Sequence, residues 1–327
     1  MINRNIYTDL ATELRDIALK EYKSETLNGI ESENYSQNGI MVTWVKVTNK
    51  SGEKAIGKPI GNYITLESPA LRENDIDAHE DAIKVMCDCL GKIHNLDAYG
   101  SIFIIGLGNW NVTPDALGPK VVSKLLITRH IKETLPGCLD NYVRSVSALS
   151  PGVMGITGIE TLETAKGLVE RVKPDLVIAV DALASRSVSR INATIQISDT
   201  GIAPGAGMGN KRKALNEETL GVKVIAIGVP TVVDAATLAN DTIDNIITEL
   251  ATESEECSQF YSSLGNIPSD EKYLLIKSLL DPYAGNMFVT PKDVDAVMER
   301  LSNIIANALN ISLHPGITKD DINRYMY

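Results

Sequence analysis

The clearest order along the chain is the spacing of its apolar residues. Residues 102–105 (Ile102, Phe103, Ile104, Ile105), 175–181 and 222–229 are nearly unbroken apolar runs. Such runs are strands covered on both faces, as in a parallel sheet with a helix layer on each side. Residues 41–47 and 62–67 instead alternate apolar and polar, the mark of half-exposed strands. A loop rich in Gly, Lys and Pro lies between them at residues 52–61. The spacing predicts a small antiparallel ribbon over residues 41–67, beside the main sheet. Residues 143–149 and 193–198 are predicted as further strands.

Helical periodicity fills the gaps. Residues 8–22 read as an amphipathic helix with Leu10, Leu14, Ile17 and Leu19 as its apolar members and Thr8 as N-cap. Residues 75–93 and 119–132 are predicted helices, the latter burying Val121, Val122, Leu125, Leu126 and Ile131. Thr157 and Glu160 have capping-box spacing and open a helix that Pro174 stops. Asp234 caps a helix over residues 235–250. Two more helices follow, at residues 270–280 and 291–309, the last with Thr290 as cap, Pro291 at its first position and Asp293 near its positive end. Residues 24–38, 150–155, 199–213 and 252–269 are polar or turn-rich and are predicted as loops. Strands alternating with helices imply βαβ units and a mostly parallel sheet.

The chain has 327 residues, 44% hydrophobic and 22% charged, with a formal charge of −11. These values fit a soluble globular protein. They argue against nucleic-acid binding through phosphate neutralisation. No apolar run reaches membrane-spanning length, and the charged start lacks the apolar core of a signal peptide. A cytoplasmic setting with free thiols is expected for Cys87, Cys89, Cys138 and Cys257, because C-x-C is neither a zinc knuckle nor a redox pair. The histidines (His79, His94, His130, His314) are scattered and show no H-E-x-x-H spacing. Asp115, Asp181 and one histidine could in principle meet as metal ligands, but nothing in the spacing supports such a site, and no metal and no cofactor are expected.

Two carboxylates are the leading candidates for chemistry. Asp115 lies just past the strand at residues 102–105, after the turn Gly106-Leu107-Gly108-Asn109, and Asp181 closes the strand at residues 175–181. Ligands of open α/β sheets bind at such carboxyl ends. If the two strands are neighbours, the acids converge. Two carboxylates about 4 Å apart repel by about 4 kcal/mol at an effective dielectric near 20. One then keeps its proton and polarises a carbonyl while the other deprotonates a water. The competing reading of Thr113-Pro114-Asp115 is a simple helix cap. The turn 106–109 could cradle a phosphate, although Asn111 replaces the third glycine of the dinucleotide fingerprint. Residues 202–213 could present Lys211, Arg212 and Lys213 to an acidic group, or be a solvated turn. No G-x-S-x-G elbow is present.

The stretches GLGNWNVTPDALGPK, PGVMGITGIET, DLVIAVDALASRS, RINATIQISDTGIAPGAGMGNKRK and VIAIGVPTVVDA resemble the germination proteases of endospore-forming bacteria, over nearly the whole chain. The resemblance implies a three-layer α/β/α fold similar to hydrogenase maturation endopeptidases. It also implies aspartic-type chemistry, with the family's two aspartates at Asp115 and Asp181. It further implies a homotetramer in the forespore or spore core that starts the breakdown of small acid-soluble spore proteins and is made as a self-processing zymogen. The family cuts after an acidic residue within a Thr-acid-apolar-Ala-x-acid motif. Thr8-Asp9-Leu10-Ala11-Thr12-Glu13 has that form, so a cut between Asp9 and Leu10 is expected. Residues 1–9 would then be a propeptide and residues 10–327 one peptidase domain. The segment before the cut is shorter than is usual in the family, so weak inhibition is expected. Gly108, Asn109, Lys211 and Arg212 are the candidate substrate-binding residues; the basic pair is suggested by its charge alone. The alternatives are a metallopeptidase of the maturation type and a non-enzymatic module binding a phosphate or nucleotide at residues 106–109.

Overall fold

The computed structural model describes residues 7–96, 100–135, 137, 139, 143–205, 213–253, 269–317 and 321–322. One nine-stranded sheet runs through them. Its strands are β1 (Ile30–Gln37), β2 (Ile40–Val47), β3 (Gly61–Glu67), β4 (Ser101–Gly106), β5 (Ser145–Leu149), β6 (Leu176–Ser185), β7 (Thr194–Ser198), β8 (Lys223–Asp234) and β9 (Phe288–Val289). Their order is β1-β2-β3-β7-β8-β6-β4-β5, with β9 added to β8. The pairs β5/β4, β4/β6 and β6/β8 are parallel, and the remaining pairs are antiparallel. The three apolar runs therefore form the parallel centre. Because β3 pairs with β7, the ribbon at residues 41–67 extends this sheet instead of standing beside it.

The helices are α1 (Ala11–Glu21), α2 (Lys50–Ile56), α3 (Ile76–Ile93), α4 (Leu117–Val122), α5 (Arg129–Thr134), α6 (Met154–Thr157), α7 (Thr161–Val172), α8 (Glu217–Leu220), α9 (Ala235–Glu253), α10 (Ser269–Ala284) and α11 (Val294–Leu313). On one face of the sheet, Met86 and Leu90 of α3, Val121 of α4 and Leu301, Ile305 and Leu309 of α11 cover Ile104, Ile178 and Ile225. On the other, Ala165 and Val169 of α7 and Leu220 of α8 cover Phe103, Ile105, Val177 and Ala179. Ala11 and Leu14 of α1, with Ile56 of α2, cover Val45, Val47 and Tyr63. Alternate strand residues thus feed two separate cores, giving three layers, α/β/α. Among the described residues no helix is long and apolar enough to cross a membrane, and Cys87 and Cys89 are free thiols.

Several elements differ from the sequence expectation. β1 lies within the predicted loop 24–38; it is an edge strand with polar side chains on both faces. Asn38-Gly39, both at positive φ, forms the two-residue hairpin turn that pairs it with β2. The predicted loop 52–61 overlaps α2, where the Asn49 side chain accepts from Ser51 and Gly52 N–H and Gly57 closes the helix in the left-handed region. The predicted helix 119–132 is two helices. Asn310 of α11 accepts from Leu126 N–H and donates to the Lys124 carbonyl, satisfying the break between α4 and α5. Thr157 ends α6 instead of capping α7, which starts after Glu160 without a side-chain cap. α1 begins at Ala11, so Thr8 is not its cap. α11 begins at Val294, so Thr290 and Pro291 lie before it; the Thr290 hydroxyl donates to the Thr231 carbonyl. The Asp234 cap is present, accepting from Thr237 N–H. Most of the predicted connection 252–269 lies outside the described residues.

His314, at the end of α11, is buried, and one ring nitrogen lies 3.4 Å from the Leu126 carbonyl. Burial, with the Arg144 and Lys132 charges, lowers its pKa from 6.5 to about 4. The folded protein therefore keeps this ring neutral while the unfolded chain protonates it below pH 6.5. Stability is lost as pH falls from there toward 4, by up to about 3 kcal/mol from this group. Urea unfolding should show wild type losing about 2 kcal/mol more than His314→Gln between pH 7 and pH 5.

Candidate active site

The site is built where β4 ends. Leu107 N–H donates to the Val180 carbonyl at 2.8 Å, closing the β4–β6 ladder. The chain then turns through Gly108 at φ +109, where a Cβ would lie 2.0 Å from the Asp115 carbonyl oxygen. A Cβ on Gly118, the second residue of α4, would lie 2.3 Å from the Leu107 oxygen and 2.6 Å from that of Val180. These two glycines let the short helix Thr113–Asp115 and the start of α4 press directly onto the strand ends. Asp115 N–H donates to Val112, and the Asp115 carbonyl accepts from Asn109 N–H at 3.0 Å, so both backbone groups of Asp115 are pinned. Gly108→Ala should destabilise by about 1–3 kcal/mol, read as a lower urea midpoint.

Asp181 is not at the end of β6, as the sequence suggested. The strand continues to Ser185, paired with β8. The β4–β6 ladder, however, stops at Gly106 opposite Val180. Asp181 is thus the first residue beyond β4, which sets it at the same level as the turn carrying Asp115. It is 4% exposed, and its Oδ1 accepts from Ala182 N–H at 2.9 Å.

Asp115 and Asp181 line one cleft of about 380 Å³. Gly108, Thr161, Leu183, Thr231 and Phe288 complete much of its wall. Trp110, Met154 and Ile156, on segments adjoining the cleft, are exposed and apolar. One acid is partly exposed and the other buried, the kind of asymmetry that separates the roles of two carboxylates.

The other candidates divide. Gly108 lines the cleft. Asn109 serves the turn: its side-chain oxygen accepts from Asn111 N–H and its own N–H goes to Asp115. The Leu107 and Asn109 amides both have partners within the chain, so two of the donors that a phosphate cradle at residues 106–109 would use are engaged. Lys211 and Arg212 lie outside the described residues. Among the described residues, no three or more His, Cys, Asp or Glu side chains could hold a metal ion together.

The sequence reading of the expected cut did not anticipate how it is held. Asp9 N–H donates to the Ala184 carbonyl, and Asp9 Oδ2 accepts from Ala184 N–H, each at 2.9 Å. Gln196 brackets the bond, its Nε2 donating to the Asp9 carbonyl and its Oε1 accepting from Ala11 N–H. Glu13 accepts from Arg186 and Ser187 N–H. Asp9 and Leu10 are buried. The signal in the sequence was slight: a Gln in an apolar strand and a Glu on a short helix.

A family model described as germination protease matches residues 8–264 and 249–326. The chain belongs to the germination protease family. The germination protease of Caldanaerobacter subterraneus subsp. tengcongensis is 49% identical, over 98% of each chain. That of Clostridium perfringens is 49% identical, covering 98% of this chain and 99% of its own. That of Bacillus pumilus is 43% identical, covering 98% and 96%. Among solved structures, the [NiFe] hydrogenase maturation protease HycI from Thermococcus kodakarensis is 18% identical, with a TM-score of 0.30, covering 65% of this chain and 95% of its own. The germination protease family is a family of peptidases, and in this member Asp115 and Asp181 line one cleft.

Proposed function

We propose that this germination protease is an aspartic-type endopeptidase in which Asp115 and Asp181 share the acid and base roles. The observation that carries the reading is the placement of both carboxylates in one cleft where β4 ends, Asp115 just past that strand and Asp181 on β6 one residue beyond its last pairing with β4. The ionised member takes a proton from water, whose oxygen attacks the scissile carbonyl carbon. The protonated member hydrogen-bonds the carbonyl oxygen as it becomes an oxyanion. A proton then passes to the leaving nitrogen as the C–N bond breaks, and the pair returns to one proton in total. A coupled pair titrates as a unit, so the proton belongs to both.

The substrates in this reading are the small acid-soluble proteins of the spore, met in the spore core during germination. The chain's own motif at residues 8–13 is a further substrate, with self-cleavage between Asp9 and Leu10. In the docked form that bond is buried, so processing requires residues 7–10 to leave the surface first. Assembly as a homotetramer is part of the reading, and Leu275, Leu279 and Tyr283 of α10 offer exposed apolar surface for it.

The test is incubation of the purified chain with a small acid-soluble spore protein in the presence of a chelator, with mass spectrometry of the fragments. Cleavage after acidic residues, undiminished by chelator, is the expected result. Cleavage that requires added metal, or none at all, overturns the reading.

A further inference from the structure

A second cavity, of about 200 Å³, adjoins the cleft. Leu183 lines both. Gly228, which faces Asp181 in the β6–β8 register, lines the second. Its polar wall holds Lys58, Gln196, Ser198 and Asn216, and Asp9 enters it from the N-terminal segment. Lys58 follows the left-handed cap Gly57 at the end of α2. Burial pulls its pKa below the ordinary 10.5, and the Asp9 carboxylate opposes that fall. An ammonium drawn out of water is stabilised by an anion within reach, and Asp9 of the N-terminal segment lines the same cavity as Lys58. Gln196, beside the same cavity, reads only main-chain groups: the Asp9 carbonyl and the Ala11 N–H. Any extended peptide presents that pair of groups, whatever its sequence.

We propose that this cavity is a specificity pocket for the acidic side chain of a bound peptide, with Lys58 as counter-ion, Gln196 gripping the adjoining main chain and Asp9 as the chain's own occupant. The proposal deepens the peptidase reading and rests on it for the claim that the guest is a substrate. It places the acid reader at the loop after α2, and makes removal of the N-terminal segment the event that frees it. A mere structural lock between Asp9 and Lys58 would hold the segment without discriminating among guests.

Two arms test it on the full chain. In the first, Asp9→Ala removes the internal carboxylate, and the melting temperature is followed with acetate, acetamide or chloride at matched ionic strength. Acetate should raise it by about 1–3 °C over the other two. Wild type and the double variant Asp9→Ala/Lys58→Met should show no such difference. Asp9→Ala/Lys58→Arg, which keeps the charge, should retain the response and guards against misfolding of the Met variant. Equal shifts with acetate and acetamide, or a response that survives Lys58→Met, overturn the pocket. In the second arm each protein is first allowed to cut itself after Asp9, so that the pocket is vacated, and kcat/KM is then compared for two peptides differing only by Asp or Asn before the scissile bond. Wild type should prefer Asp by about tenfold or more, and Lys58→Met by less than twofold. An unchanged preference in Lys58→Met overturns the substrate role. If wild type cleaves neither peptide, the peptidase reading fails, while the acetate arm still decides the cavity.

Discussion

Asp181→Asn is expected to fold as wild type and to cleave peptide bonds about 10²- to 10⁴-fold more slowly, and Asp115→Asn to do the same. The fold should survive because asparagine matches aspartate in volume and keeps the oxygen that accepts from Ala182 N–H. At position 115 the backbone groups carry the turn, and the side chain faces the cleft. What each change removes is a group able to gain and lose a proton. Because the acids are proposed to work as one unit on one proton, the double variant should be little slower than the slower single one. Equal melting curves with lost cleavage support the pair. Wild-type rates from either single variant, or losses that multiply in the double, would end the shared-proton mechanism.

The parts of the fold legible in the sequence are those whose signal is local. β4, β6 and β8 are apolar throughout because helices cover both faces, and that composition alone announces a buried parallel strand. Asp115 could be found because a tight Gly-rich turn follows such a strand. β1 was missed because an edge strand exposed on both faces has no apolar pattern, although Asn38-Gly39 was the hairpin signal to weigh. The break between α4 and α5 was not legible at all, since it is satisfied by Asn310, far away in the chain. Asp181 was singled out from a strand end that is not its own: β6 does not stop there, its neighbour β4 does. Register between strands is a property of the sheet, and the run at residues 175–181 cannot show it. Lys58 and Gln196 were invisible for the same cause, each being an isolated polar residue until the fold sets it beside Asp9.

The other large effect is expected at Glu13, a residue remote from the cleft in sequence and buried in the structure. Its carboxylate accepts from Arg186 N–H at 2.7 Å, Ser187 N–H at 3.0 Å and the Thr8 hydroxyl, with the Arg190 guanidinium 3.4 Å away. Glu13→Ala leaves two backbone donors unmatched. Arg190 still has Glu67 at 2.8 Å, so the loss should fall near the lower end for a broken buried ion pair, at about 3 kcal/mol. Glu13→Gln should lose most of that too, because its NH₂ group would face a backbone N–H donor from which a carboxylate oxygen now accepts. The consequence is directional. Thr8 loses its contact with α1, and Asp9 and Leu10 depend more heavily on their remaining contacts, those with Ala184 and Gln196 among them. Hydrogen exchange at the Asp9 and Leu10 amides should accelerate in Glu13→Ala well beyond the change at the core amides of β4. An N-terminus trimmed at Leu10 should also accumulate sooner than in wild type. Unchanged protection at those two amides would mean that Ala184 and Gln196 suffice to hold the segment, and that Glu13 stabilises the fold without controlling access to the bond.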